Sequence, residues 1–150
     1  MLPRDRVLAA FEHRKTDRVP IYQAGYSSRV ASAVLGREAY VGGGMQQWRE
    51  AKALWDGPDA HKEYLERSHR DAYELPIKLD LDVVRSSYWR MNVKPTKKID
   101  EYTFLYGDPE KDWHVMRLDP QTELYQIVDR SAKPERTMAD LEKEVEAQEK

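Results

Sequence analysis

The sequence predicts a single mixed domain in which helices, with two short strands among them, precede an antiparallel β-meander. Three features predict it. Apolar residues recur at helical spacing over roughly the first 80 residues. Beyond about residue 100 the pattern changes to short runs rich in aromatic and β-branched residues. The turn sequences "GDPEKD" and "DPQT" separate those runs. A length of 150 residues suits one domain.

The elements follow in order. Pro3 to His13 reads as a helix, with Pro3 suited to its first turn and Val7, Leu8 and Phe11 on one apolar face. "RKTDR" is a charged turn. Val19 to Tyr22 reads as a strand that Pro20 confines to an edge or to a strand's first residues. Ser27 or Ser28 caps a short helix through Val30, Val34 and Leu35, which Gly36 ends. Gly42 to Gly44 reads as a flexible loop. Met45 to Trp55 and Pro58 to about Leu75 read as two more helices, with Pro76 stopping or kinking the second. Leu81 to Arg85 reads as a buried strand. Tyr102 to Tyr106, Trp113 to Leu118 and Glu123 to Val128 form the meander, with Trp113 expected among its more buried side chains. Thr137 caps a last, mostly polar helix from Met138 to Gln148.

Composition excludes several classes. The chain carries 25 Lys and Arg against 27 Asp and Glu, a net charge of -2. With no cationic excess to meet a phosphate backbone, it is not expected to bind nucleic acid. No apolar run approaches the ~20 residues of a membrane span, and the charged N-terminus does not read as a signal peptide. Four Trp, nine Tyr and two Phe supply core material and argue against disorder throughout. The expectation is a soluble, cytoplasmic protein without a cofactor.

Other residue groups carry chemistry only weakly. Zero cysteine removes disulfides, thiolate metal ligands and cysteine nucleophiles. His61 and His69 are eight apart on one helix, not the three or four that share a face, so no metal site is expected. Gly42 to Gly44 lacks the strand-to-helix context of a phosphate loop. Asp80 and Asp82 offer an acid–base pair, but alternate residues ahead of a buried run more often mark where a strand begins. The meander aromatics Tyr102, Phe104, Tyr106, Trp113 and Tyr125 offer a stacking platform. Their alternation and acidic setting favour core packing instead. Lys94 to Lys98 reads as a solvated turn.

Several stretches taken together resemble the N-terminal part of the uroporphyrinogen decarboxylase-like superfamily, which includes the corrinoid- or thiol-dependent methyltransferases. They are "PRDRVLAAFEHRKTDRVPI", the glycine triplet after "GREAYV", "LDLDVVR" and "DEYTFLYGDPEKDWHVMRLDPQTELYQIV". The resemblance implies an α/β fold, the N-terminal portion of a TIM (β/α) barrel with an inserted antiparallel β-meander, or α+β if the chain folds alone. Residues 1–90 would hold helices and the first two barrel strands, 91–131 the meander and 132–150 the terminal helix. A complete barrel needs about 250 residues. The expectation is therefore a piece of a longer protein, or a chain whose remainder another chain supplies.

Active sites of such barrels form from the loops after the strands. The resemblance thus places Gln23, Tyr26 and Arg29 after the first strand, and Arg85 and Trp89 after the second, as substrate-binding residues. The decarboxylases carry Arg-Gln-Ala-Gly-Arg where this sequence has Tyr22-Gln23-Ala24-Gly25-Tyr26. A tyrosine offers one neutral hydrogen bond where arginine offers a bidentate charged fork. The decarboxylase aspartate at the end of the second strand has no clear match either. The expected function is an incomplete barrel segment contributing part of a small-molecule substrate pocket, without a full catalytic set. The alternative is a standalone α+β binding or assembly module that works as a homodimer or with a second chain.

Overall fold

A computed structural model describes residues 1–85, 90–132, 137, 138, 142, 145 and 147. Among them the chain is α+β, with four helices followed by one open antiparallel sheet. The helices are α1 (Pro3–Phe11), α2 (Ser28–Leu35), α3 (Gly43–Asp56) and α4 (Pro58–Lys78). The strands are β1 (Lys97–Lys98), β2 (Thr103–Gly107), β3 (Trp113–Asp119) and β4 (Leu124–Arg130), in the spatial order β1-β2-β3-β4.

This architecture overturns the expected barrel portion. Neither 19–22 nor 82–85 forms a strand. They are extended stretches joined by one backbone hydrogen bond, from Asp82 N–H to the Ile21 carbonyl at 2.9 Å. The N–H that would continue a ladder, that of Ile21, donates to the Asp82 carboxylate at 2.8 Å. A side chain has taken the place of a backbone partner, so no parallel sheet forms.

Local signals hold better. Ser27 Oγ accepts the Val30 N–H at 3.1 Å, and Gly36 ends α2 at φ 72°. Pro76 neither stops nor breaks α4, which runs on to Lys78. It lies in the final turn, where little of the helix remains to be disrupted. The glycine triplet is not a loose connection. Gly43 and Gly44 open α3, and a Cβ on Gly44 would come within 2.3 Å of the Tyr125 amide nitrogen. Helix α3 starts against β4 because nothing larger than glycine fits there. Of the last predicted helix, residues 138, 142, 145 and 147 are helical. The rest of it lies outside the described residues.

Two apolar clusters hold the fold. Ala31, Leu35, Ala39, Val41, Ala72 and Leu75 join α2, the 37–41 stretch and α4. Small side chains let these backbones approach closely. Ala51 of α3 packs with Phe104, Tyr106, Met116, Leu118 and Tyr125 on one sheet face. Helix α3 therefore touches α4 with one side and the sheet with the other. Trp113 is only partly buried, contrary to expectation, because the inward positions of β3 fall on Met116 and Leu118. The β3–β4 register steps from Val115↔Asp129 to Met116↔Ile127, so Val128 is an extra, bulged residue.

Candidate functional site

The feature with the character of a site is an apolar groove of about 670 Å³ beside α1. Val7, Ala10 and Phe11 of α1 form one wall. Pro20, Ile21 and Tyr22, with Val83, Val84 and Arg85, form the rest. The predicted apolar face of α1 is thus real but uncovered. Phe11 is 81% exposed and Val19, on the neighbouring stretch, 79%. The buried residues of α1 are instead Arg6 and Ala9.

Arg6 explains how the groove is built. Its guanidinium bonds Asp17 through Nε at 2.6 Å and Nη2 at 2.9 Å, and pairs with the buried Asp82 carboxylate. Arg18 reaches the same carboxylate at 3.0 Å and the Asp80 carbonyl at 2.9 Å. One cluster therefore ties α1, the charged turn and both extended stretches together. Hydrogen bonds from Arg6 hold the Asp17 carboxyl well below the ordinary carboxylate range. Burial pushes the Asp82 carboxyl up. The Ile21 N–H and Arg6 outweigh that, and it stays below its ordinary value. Asp82 is structural, and Asp80 points to solvent, so the two form no acid–base pair.

The substrate-binding residues expected from the resemblance fall in different places. Gln23 Nε2 donates to the Gly25 carbonyl at 2.7 Å and braces its own turn. Tyr26 packs against the α2–α4 cluster, and its buried hydroxyl has no hydrogen-bond partner among the described residues. Burial raises the Tyr26 phenol. Arg29 lies in the first turn of α2 and donates to the Pro120 carbonyl at 2.7 Å, in the β3–β4 turn. Arg85 lines the groove. Trp89 lies outside the described residues. Sequence reasoning missed Val7, Phe11, Ile21, Val83 and Val84 as site residues, because apolar residues at helix or strand spacing read as core. No feature of the sequence marks that core as uncovered.

The groove's chemistry follows from its lining. Among the described residues its only polar side chains are the Tyr22 phenol and the Arg85 guanidinium. Its lining suits apolar matter and includes no carboxylate or imidazole for proton transfer. Elsewhere among the described residues no group of three His, Asp or Glu side chains is placed to hold an ion, and no helix is long and apolar enough to cross a membrane. No protein-family model, curated protein or solved structure matches the chain.

Proposed function

We infer that the chain is a binding or assembly module whose working surface is the α1 groove, and that it receives another polypeptide there. One observation carries this reading. The groove joins exposed apolar side chains to extended backbone of which only Ile21 and Asp82 are seen to be tied together. Among the described residues the backbone groups of Tyr22, Val83 and Val84 take part in no hydrogen bond. Apolar area and free backbone groups side by side suit a polypeptide better than a small apolar molecule, which satisfies only the first.

The test uses the environment-sensitive dye anilinonaphthalene sulfonate at low protein concentration. The dye should bind the chain, and Phe11→Asp should abolish the signal without changing the melting temperature. An equal signal from parent and variant would show that the groove is not the accessible apolar surface.

A second reading is a piece of a uroporphyrinogen decarboxylase-like protein that contributes part of a substrate pocket. One observation favours it. Arg6, Asp17 and Arg18 of the opening signature meet Asp82 of "LDLDVVR", so two of the similar stretches are joined in space. With Tyr22 and Tyr26 where that family has arginines, the chain by itself should show neither uroporphyrinogen decarboxylation nor methyl transfer. Purified protein assayed with both substrate classes and added zinc tests this. Turnover that scales with protein would contradict it.

A further inference from the structure

A second hollow, of about 300 Å³, lies between α3, α4 and the 37–41 stretch. It shares no residue with the groove and does not depend on the groove reading. Buried Tyr64 and Ala53 line it, with the partly buried Tyr40 and Trp48 rings beside them. Its size stands at the small end of ligand sites, which run from about 300 to 1,000 Å³. We propose that it binds a small zwitterion with an apolar or aromatic body, an α-amino acid by class. Lys52 would take the carboxylate and Asp56 the ammonium.

Most polar groups around this hollow are already engaged within the fold. Arg49 donates to Ser28 Oγ at 3.0 Å, to the Ala39 carbonyl and to Glu38 at 2.9 Å, and its guanidinium lies 5.0 Å from the centre of the Tyr40 ring. Glu63 pairs with Arg67. The Trp48 indole N–H donates to the Glu101 carbonyl, and the Tyr64 hydroxyl to the Gln46 carbonyl. Lys52 and Asp56 differ. Among the described residues their side chains enter no hydrogen bond or ion pair, and Lys52 Nζ rests 5.8 Å from the centre of the Trp48 ring. They stand one turn apart on α3, with Cβ atoms about 5–6 Å from each other. A lysine ahead of its acid is the poorer order for pairing along a helix. The hollow therefore presents one ammonium and one carboxylate beside aromatic walls. A zwitterion meets both charges. A simple amine leaves Lys52 unmatched, and a simple acid leaves Asp56 unmatched.

The experiment is a titration of the isotope-labelled chain with L-phenylalanine, followed by amide and indole NMR. Phenylethylamine, which lacks the carboxylate, and phenylpropionate, which lacks the ammonium, are titrated alongside. The expected result is saturable shifts at the Trp48 indole and at the α3 and α4 amides that line the hollow. Each one-charge analogue should bind about two- to fivefold more weakly, as suits ion pairs near the surface. Lys52 and Asp56 are both exposed, so Lys52→Met and Asp56→Asn should leave the melt unchanged. Lys52→Met should bring phenylalanine down to the affinity of phenylethylamine, and Asp56→Asn to that of phenylpropionate. An analogue that binds the parent as tightly as phenylalanine overturns the zwitterion. Binding that neither substitution weakens, or shifts that lie elsewhere in the chain, overturns the roles of Lys52 and Asp56. The absence of saturable shifts up to the solubility of phenylalanine overturns the site.

Discussion

Three buried carboxylates do the same work in three places. Asp82 accepts the Ile21 N–H at 2.8 Å and pairs with Arg6 and Arg18. Asp71 accepts the Tyr40 N–H at 2.8 Å and pairs with Arg37 at 2.6 Å. Glu50 accepts the Met91 N–H at 2.8 Å and pairs with Arg90 at 2.6 Å, with His61 at 3.4 Å. Each fastens an irregular stretch to the rest of the fold, meeting backbone donors that no helix or strand supplies. Burial alone pushes the Glu50 carboxyl up. Arg90 and the Met91 N–H outweigh it, so Glu50 sits below its ordinary value of 4.5. Its stabilisation is therefore present above that value and lost as pH falls below it. Asp17 and Asp82 are depressed too and act in the same acid window. Glu50→Gln should cost about 3–5 kcal/mol, toward the lower figure because Arg90 keeps 27% of its side-chain surface in water. It should also flatten the acid limb of a melting-temperature profile. A variant that melts like the parent at neutral pH would show that the cluster contributes nothing. Gly44→Ala is a steric counterpart. Its Cβ would meet backbone, which cannot swing aside, so a loss of about 1–3 kcal/mol is expected in urea unfolding.

At the scale of elements, the sheet stands on its inward aromatics. Phe104 is fully buried, and the Tyr106 and Tyr125 hydroxyls bond each other at 2.9 Å in the interior. Phe104→Ala should cost about 3–5 kcal/mol. Trp113→Ala should cost clearly less, since that ring is only partly buried. Equal losses in thermal unfolding would mean that the two faces of the sheet are equally covered. The same aromatics set an alkaline limit. Burial pushes the phenols of Tyr64 and Tyr106 up to about 12, and that of Tyr125 higher still. A phenol raised above its ordinary value of 10 stabilises the fold fully below that pH, and the contribution disappears as pH rises toward 12. Tyrosinate absorbance should therefore lag behind that of unfolded chain above pH 10 and catch up as circular dichroism reports unfolding. Smooth titration of all nine tyrosines ahead of unfolding would contradict this.

The whole molecule is organised around α3, which joins the helical cluster to the sheet cluster. Helix α1 stands apart from both. It enters neither apolar cluster, and is held to the two extended stretches by the Arg6–Asp17–Asp82 ion pairs. Asp82→Asn should therefore loosen α1 and the groove together and leave the sheet intact. Amide exchange should speed up over residues 3–22 while β2 and β3 stay protected. Faster exchange throughout the chain would mean that α1 is part of one cooperative unit.

What the sequence determined by itself is local. Pro3, Ser27, Gly36 and the "GDPEKD" and "DPQT" turns act through backbone conformation and near-neighbour hydrogen bonds. The four helices and three longer strands accordingly lie within a few residues of where those signals put them. Core packing of the meander aromatics was legible from their alternation and acidic setting, and it holds for Phe104, Tyr106 and Tyr125, while Tyr102 and Trp113 are only partly buried. Tertiary structure decided the rest, because burial depends on what lies across a gap rather than on spacing. Val19 to Tyr22 and Asp82 to Arg85 have strand-like composition, yet the Asp82 side chain occupies the backbone donor a ladder would use. Val7 and Phe11 have core-like spacing, yet Val7 is only partly covered and Phe11 is exposed. The resemblance assigned Gln23, Tyr26 and Arg29 to one mouth, and the chain path sends them to a turn, a helix cluster and a strand connection. The groove arose where apolar pattern and chain path disagree, and a linear pattern carries no record of which apolar face will lack a neighbour.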